Sequence, residues 1–305
     1  MVRRSLRALA LLVLLSPAPL LAQAEKTPAP KLAADPLDGP PYVTAKAWVV
    51  VDGKTGKVLG GGNDTEARPM ASTSKILTAW VVLSLAATDP KVLDEVVTYS
   101  ERAAKTTGSS AKLLAGEKVP VKELLYGLLL PSGNDAAVAL AEHFGPRFKG
   151  ATDGDGLQQF VAELNRRAKA LGLKEMAYKD PNGLSSGNVS SARDLAALTL
   201  EAMKDERFRA YVSTRRHEYE VTEPGGGKRK VTWTNTNKLL DIEGYEGVKT
   251  GTTTPAGNCL VACGKRGTDR LIVVVLGSTS VDSRYADARN LFRWGWTQHA
   301  AKGAK

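Results

Sequence analysis

Residues 76–87 read Ile-Leu-Thr-Ala-Trp-Val-Val-Leu-Ser-Leu-Ala-Ala. Their apolar side chains spread around a whole helical wheel instead of keeping to one stripe. A helix of that kind is stable in water only where other elements enclose it. The segment therefore predicts a buried helix at the centre of the protein, and the rest of the 305 residues must wrap it.

Both ends of the chain carry strands. Residues 46–60, KAWVVVDGKTGKVLG, are two β-rich runs around a glycine-containing turn, the pattern of a hairpin. From about Ser72 to about residue 205 the spacing is mostly helical, with apolar periodicity in 75–87, 121–130, 135–143 and 156–171. Strands return in HEYEVT, KVTWTN, EGVKTGTTT, NCLVACGK and RLIVVVLGS. A last helix, SRYADARNLFRWGW, puts Tyr285, Ala288, Leu291, Phe292 and Trp296 on one stripe. The expected fold class is α+β: one antiparallel sheet built from both chain ends, with flanking helices and a large helical insertion. No internal repeat suggests a solenoid.

Arg3, Arg4 and Arg7 precede the apolar run Ala8 to Leu15, and Ala22-Gln23-Ala24 offers small residues to a signal peptidase, so residues 1–24 read as a removable export signal. The apolar run is about half of the roughly 20 residues a spanning helix needs, and Pro17 and Pro19 interrupt the segment. No transmembrane anchor is expected once it is removed. The Pro-rich residues 25–41 read as an extended linker, 42–298 as the folded domain and 299–305 as a short tail.

The formal charge of +10 falls to about +7 without the three leading arginines. Such an excess favours an acidic polymer such as a cell wall, or is merely a solvated surface. No basic-aromatic cluster argues for nucleic acid. His143, His217 and His299 show no ligand spacing, so neither a metal nor another cofactor is expected. Cys259 and Cys263 lie four steps apart in a strand, about 13 Å, whereas a disulfide needs roughly 4.4 to 6.8 Å. They read as small core residues on one face of a sheet.

Three short motifs occur twice, and context separates the copies. Ser72-Thr-Ser-Lys75 opens the buried helix, with Lys75 one turn after Ser72 and on the same face. Helix N-terminal N–H groups lie where an oxyanion would form, and burial lowers a lysine pKa toward a neutral amine that can take a serine proton. The motif alone leaves open that Ser72 is only an N-cap and Lys75 a solvated first-turn residue. Ser74 points about 100° away from Lys75 and is no partner for it. The other copy, Ser109 to Lys112, lacks a buried helix and reads as a loop. Ser132-Gly-Asn134 sits in a tight connection between two apolar helices and can carry a hydroxyl and an amide into a cleft. Ser186-Gly-Asn188 ends a turn-rich stretch before a helix and reads as capping.

Lys249-Thr250-Gly251 opens a strand of the final sheet, where a lysine supplies fixed positive charge to a carboxylate and Gly251 admits a close backbone. The earlier Lys54-Thr-Gly56 belongs to its hairpin turn. Gly183-Leu-Ser-Ser-Gly187 matches Gly-x-Ser-x-Gly but lacks the strand before and helix after that a nucleophile elbow needs.

Ser-x-x-Lys, Ser-x-Asn and Lys-Thr-Gly in this order are the signature of penicillin-recognising serine acyl enzymes. The flanking stretches RPMASTSKILTAW, VKELLYGLLLPSGNDAAVALAEHFG and YEGVKTGTTTPAGNCLVAC closely resemble the D-alanyl-D-alanine carboxypeptidase family of low-molecular-mass penicillin-binding proteins, over roughly residues 42–298. The resemblance implies a β-lactamase/transpeptidase-like fold and an exported, periplasmic or wall-associated enzyme acting on peptidoglycan stem peptides, with β-lactam antibiotics as covalent inhibitors. It implies Ser72 as nucleophile, Lys75 as its base, Ser132 as proton relay and Asn134 as a holder of the acyl chain. It implies an oxyanion hole from the backbone N–H groups of Ser72 and Thr252. Lys249, Thr250 and the Thr252 hydroxyl would bind the terminal carboxylate, beside Gly251.

A class A β-lactamase would add Glu-x-x-Leu-Asn for rapid deacylation. In QQFVAELNRRAK, Leu164-Asn165 would place that glutamate at Val161. Slow release of bound penicillin is expected instead. The chain stops 54 residues after Gly251 and resembles the shorter, tail-less members of the family, some of which cut D-alanyl cross-links. Carboxypeptidase and endopeptidase readings both remain, and a non-catalytic wall-binding module is the reading from another class.

Overall fold

The computed structural model describes residues 39–148 and 155–303. The expected export signal and residues 25–38 of the expected linker lie outside the described residues.

The first elements among the described residues form a hairpin, β1 (Ala47–Asp52) and β2 (Val58–Gly62), and the first Lys-Thr-Gly lies in its turn. There the Asp52 carboxylate accepts from the Lys54 and Thr55 amides. After β3 (Arg68–Pro69), a 3-10 turn, Ala71–Ser74, leads into α1 (Lys75–Thr88). Then come β4 (Val96–Thr98), α2 (Glu101–Ala104), β5 (Lys118–Pro120), α3 (Val121–Leu129), α4 (Asn134–Phe144) and α5 (Gly156–Ala170). The short β6 (Val189–Ser190) precedes α6 (Ala192–Ala202) and α7 (Glu206–Ser213). A second hairpin, β7 (Arg216–Thr222) and β8 (Lys228–Thr234), is followed by β9 (Tyr245–Thr253), β10 (Gly257–Arg266), β11 (Asp269–Ser278) and α8 (Val281–Gly303).

α1 is enclosed as its composition demands. Ile76, Leu77, Ala79, Val81, Val82, Leu83 and Ala86 are all buried, each large one contributing about 1.5–3 kcal/mol. By length and composition Ala71–Thr88 could cross a membrane, but most of it is buried inside the protein. Asp89, extended before Pro90, ends the helix.

The main sheet runs β2-β1-β11-β10-β9, antiparallel throughout. Because side chains alternate along a strand, one face presents Val49, Val51, Cys259, Val261, Cys263, Ile272 and Val274 to the core around α1 and α6. The other presents Trp48, Val50, Leu260, Ala262, Val273 and Val275 to Tyr285, Ala288, Leu291, Phe292 and Trp296 of α8. The sequence stripe on the last helix is that buried face. Both cysteines are free, and burial pushes their thiols up, to about 11 for Cys259 and about 12 for Cys263.

HEYEVT and KVTWTN do form strands, but not in the sheet that joins the chain ends. As β7 and β8 they pair with each other and, through β5 and β4, make a separate four-stranded sheet. Their side chains alternate between buried and exposed along β8, which suits a sheet covered on one face and not a doubly covered one. β4 and β5, three residues each, are too short to give a period in a helical region. At the other end, α8 runs on through Gly303, past residue 298.

Candidate active site

Ser72 lies in the 3-10 turn before α1, and Lys75 is the first residue of α1, three positions on. Lys75 is fully buried, and its Nζ donates to Ser72 Oγ at 2.9 Å and to Asn134 Oδ1 at 2.7 Å. A third bond goes to the backbone carbonyl of Asn182. Burial pushes the amine down to about 7, against the opposing pull of the Asp180 and Asp135 carboxylates. A lysine so poised is neutral in a large share of molecules at pH 7 and can accept a proton from a hydroxyl it touches. The Ser74 hydroxyl makes no hydrogen bond to Lys75 and is buried without a protein partner.

Asn134 opens α4, immediately after the connection from α3. Its amide nitrogen donates to Thr107 O at 2.8 Å and its backbone N–H to Ser109 O at 2.7 Å. Ser132 takes a left-handed backbone, φ 65°, which costs a non-glycine residue about 1–2 kcal/mol. Its hydroxyl is buried and has no protein partner. The other Ser-x-x-Lys copy is a loop: Ser110 Oγ and the Ala111 N–H donate to the buried Asp135 carboxylate, bracing the first turn of α4.

Lys249, Thr250 and Gly251 lie on β9, the edge strand of the main sheet. Lys249 is buried, and its amine is held well below the usual lysine range by burial first, then by the charges of Lys75 and Arg284. Thr250 Oγ1 shares a 2.7 Å hydrogen bond with Thr236 Oγ1. A Cβ on Gly251 would lie 2.9 Å from the Ser72 nitrogen and 3.0 Å from that of Thr73. Only glycine lets β9 pass so close to the turn that carries Ser72.

Ser186-Gly-Asn188 does not cap α6; Ser191 does, accepting from the Asp194 N–H. Asn188 instead is fully buried and clamps residues 179–188. Its Oδ1 accepts from the Lys179 and Asp180 N–H groups, and its Nδ2 donates to the Asp180 carbonyl and carboxylate. Asp180 in turn accepts from the backbone N–H groups of Asn182, Gly183 and Ser185. This brings the Asn182 carbonyl to Lys75 and presses Gly183, φ 89°, against Ala71. The Gly-x-Ser-x-Gly match lies in this same loop.

Sequence reasoning missed Arg284, in the first turns of α8. It is buried, and its Nη1 donates to Thr252 Oγ1 at 3.0 Å. Its Nη2 donates to the Tyr285 hydroxyl, which donates to the Thr236 carbonyl. Lys75, Lys249 and Arg284 thus lie close enough for their charges to act on one another, beside the strand that carries Gly251 and Thr252, an arrangement suited to a carboxylate. In α5, where a deacylating glutamate would stand, Val161 offers only a carbonyl to Asn165 Nδ2. His143, His217 and His299 pair with Glu95, Glu123 and Asp52, away from this cleft.

Residues 35–280 match the family model described as D-alanyl-D-alanine carboxypeptidase. The chain is 36% identical over 263 residues to a D-alanyl-D-alanine carboxypeptidase of Streptomyces sp. strain K15, covering 84% of this chain and 88% of that one. It is 35% identical over 257 residues to D-alanyl-D-alanine carboxypeptidase DacF of Bacillus subtilis, covering 84% of this chain and spanning 63% of that relative. The crystal structure of the Streptomyces K15 DD-transpeptidase superposes with a TM-score of 0.79 at 35% identity, covering 85% of this chain and 99% of that one. The chain belongs to the D-alanyl-D-alanine carboxypeptidase family.

Proposed function

We propose that this chain is a serine-type D-alanyl-D-alanine carboxypeptidase acting on peptidoglycan stem peptides. The observation that carries the reading is a fully buried Lys75 amine, pushed down to about 7, at 2.9 Å from Ser72 Oγ. In this mechanism neutral Lys75 takes the Ser72 proton as Oγ attacks the carbonyl between the two D-alanines. The oxyanion gathers at the N–H groups of Ser72 and Thr252. Lys249, Thr250, Thr252 and Arg284 hold the terminal carboxylate, with Gly251 admitting the substrate backbone. Asn134 positions both Lys75 and the acyl chain, and the Ser132 hydroxyl passes the proton to the departing amine. Water then hydrolyses the ester at Ser72. β-Lactams enter as acylating agents of Ser72 and leave slowly, because no carboxylate stands at position 161.

Mass spectrometry of muropeptide pentapeptides and cross-linked dimers, with the wild type and Ser72→Ala, tests this. Loss of one D-alanine from pentapeptides by the wild type alone supports it. Conversion of dimers to monomers would make cross-link cleavage the main activity. The structural neighbour is a DD-transpeptidase, so new dimers formed from pentapeptides would favour transfer to an amine. Penicillin labelling that survives Ser72→Ala would remove Ser72 as nucleophile. Export rests on residues 1–24, and secretion of a chain beginning at residue 25 would contradict it.

A further inference from the structure

A second cationic cleft lies at the N-terminal end of β9. It encloses about 260 Å³ between the β9 and β10 strands and α8. Lys265, Arg266, Arg289 and Arg293 line it over a floor that includes Tyr245, Phe292 and Trp296, and Glu243 is the carboxylate on its rim. Lys265 is partly neutralised by Glu246 at 3.5 Å.

The three arginines are distinctive. Almost every other arginine of the described residues has a carboxylate within 4.0 Å. Apart from Arg284 in the candidate active site, those without one are Arg266, Arg289 and Arg293, and all three face this cleft. Arg266 stacks on Trp296, 5.0 Å from the ring centroid, which fixes its guanidinium plane. Arg289 and Arg293 are four residues apart on α8, a like-charge spacing that destabilises a helix unless an anion offsets it. Their charges, with that of Arg266, reach the half-buried Tyr245 hydroxyl and counteract the rise that burial imposes on it.

We propose that this cleft binds a linear polyanion, a polymer carrying phosphate or carboxylate groups at intervals close to one helical turn. Arginine forks grip such oxyanions in pairs. The Arg289–Arg293 step sets a repeat of about 6 Å along α8. A recessed cleft admits a chain better than a flat bilayer, and a membrane face needs an apolar stripe. Here the neighbouring exposed large hydrophobic is Ile242 alone among the described residues. Because α8 also carries Arg284, a polymer held here lies along the same helix as a residue of the candidate active site.

Binding of the mature chain to poly(glycerol phosphate), polygalacturonate, inorganic phosphate and phosphatidylglycerol vesicles tests this, at low and high salt. The triple variant R266Q/R289Q/R293Q should bind the polymers roughly tenfold more weakly or worse, with unchanged thermal unfolding, while R289K/R293K keeps most of the affinity. Inorganic phosphate should bind far more weakly than either polymer. If the triple variant does not fold, Arg289→Gln with Arg293→Gln carries the same expectation. Unchanged polymer affinity in the glutamine variants overturns the proposal. So does vesicle binding as tight as polymer binding with the same dependence on these arginines, which would make the cleft a membrane contact.

Discussion

If Lys75 is the base for Ser72, the rate of acylation must follow the share of neutral Lys75. Burial brings this amine from 10.5 to about 7, which corresponds to about 5 kcal/mol of discrimination against the ammonium form. At pH 7 the neutral share rises from about 1 in 3,000 for an ordinary lysine to about one half. Acylation by a fluorescent penicillin, followed by mass or fluorescence at fixed reagent concentration, should therefore fall about fivefold from pH 7 to pH 6. It should rise only about twofold from pH 7 to pH 9. Asp180 and Asp135 stabilise the ammonium form, so Asp180→Asn should slide this limb to lower pH without abolishing labelling. A rate that is flat between pH 6 and 8, or that climbs tenfold per pH step up to pH 10, would refute the assignment. Movement of the limb to higher pH in Asp180→Asn would refute the electrostatic reasoning behind it.

The same depressed lysine should appear in stability. Between about pH 7 and 10.5 the unfolded chain holds the Lys75 proton and the folded chain does not, so stability rises with pH through that window. Lys75→Met should flatten the rise, read as the difference between two urea-unfolding series; an equal slope in both would contradict it. Gly251→Ala should destabilise by about 1–3 kcal/mol and slow penicillin labelling about a hundredfold, because its Cβ would press on the Ser72 and Thr73 nitrogens. Unaltered labelling would show that β9 can withdraw at no cost. Asn188→Ala strips partners from buried groups of the 179–188 loop and should cost about 2–4 kcal/mol. It should also lower the pH at which acylation sets in, because the Asn182 carbonyl that accepts from the Lys75 ammonium moves away; a stability loss with an unmoved pH profile would limit Asn188 to a structural role.

What could be read from the sequence is what the chain states locally. The all-round apolar run after Lys75 specifies an enclosed helix, and the i, i+3 spacing of Ser72 and Lys75 specifies a shared face. The same helical logic on SRYADARNLFRWGW selects the side of α8 that is buried. HEYEVT and KVTWTN announce strands, but a strand does not encode its partner, and theirs include two three-residue segments with no period of their own. The Asn182 carbonyl was invisible for a related reason. Its contact with Lys75 is made by backbone, and the side chains that aim it, Asp180 and Asn188, look like ordinary turn residues. Arg284 reads as a solvated position beside an apolar stripe, and its partner Thr252 is distant in sequence.

The missed Arg284 adds to the charges of the two lysines that the sequence does show. Lys75, Lys249 and Arg284 are three buried cations, and none of them has a carboxylate within ion-pairing distance among the described residues. Burying such charges is unfavourable, so the protein lowers both lysine pKa values instead of pairing them. A carboxylate entering beside Lys249 would favour its protonated form, while a deprotonated Lys75, still donating to Asn134 and Asn182, can turn its lone pair to the Ser72 hydroxyl. Two lysines lowered by the same burial can thus serve opposite ends of one substrate, the one as a charge and the other as a base. The difference between them is made by which neighbour carries the negative charge once the substrate is bound.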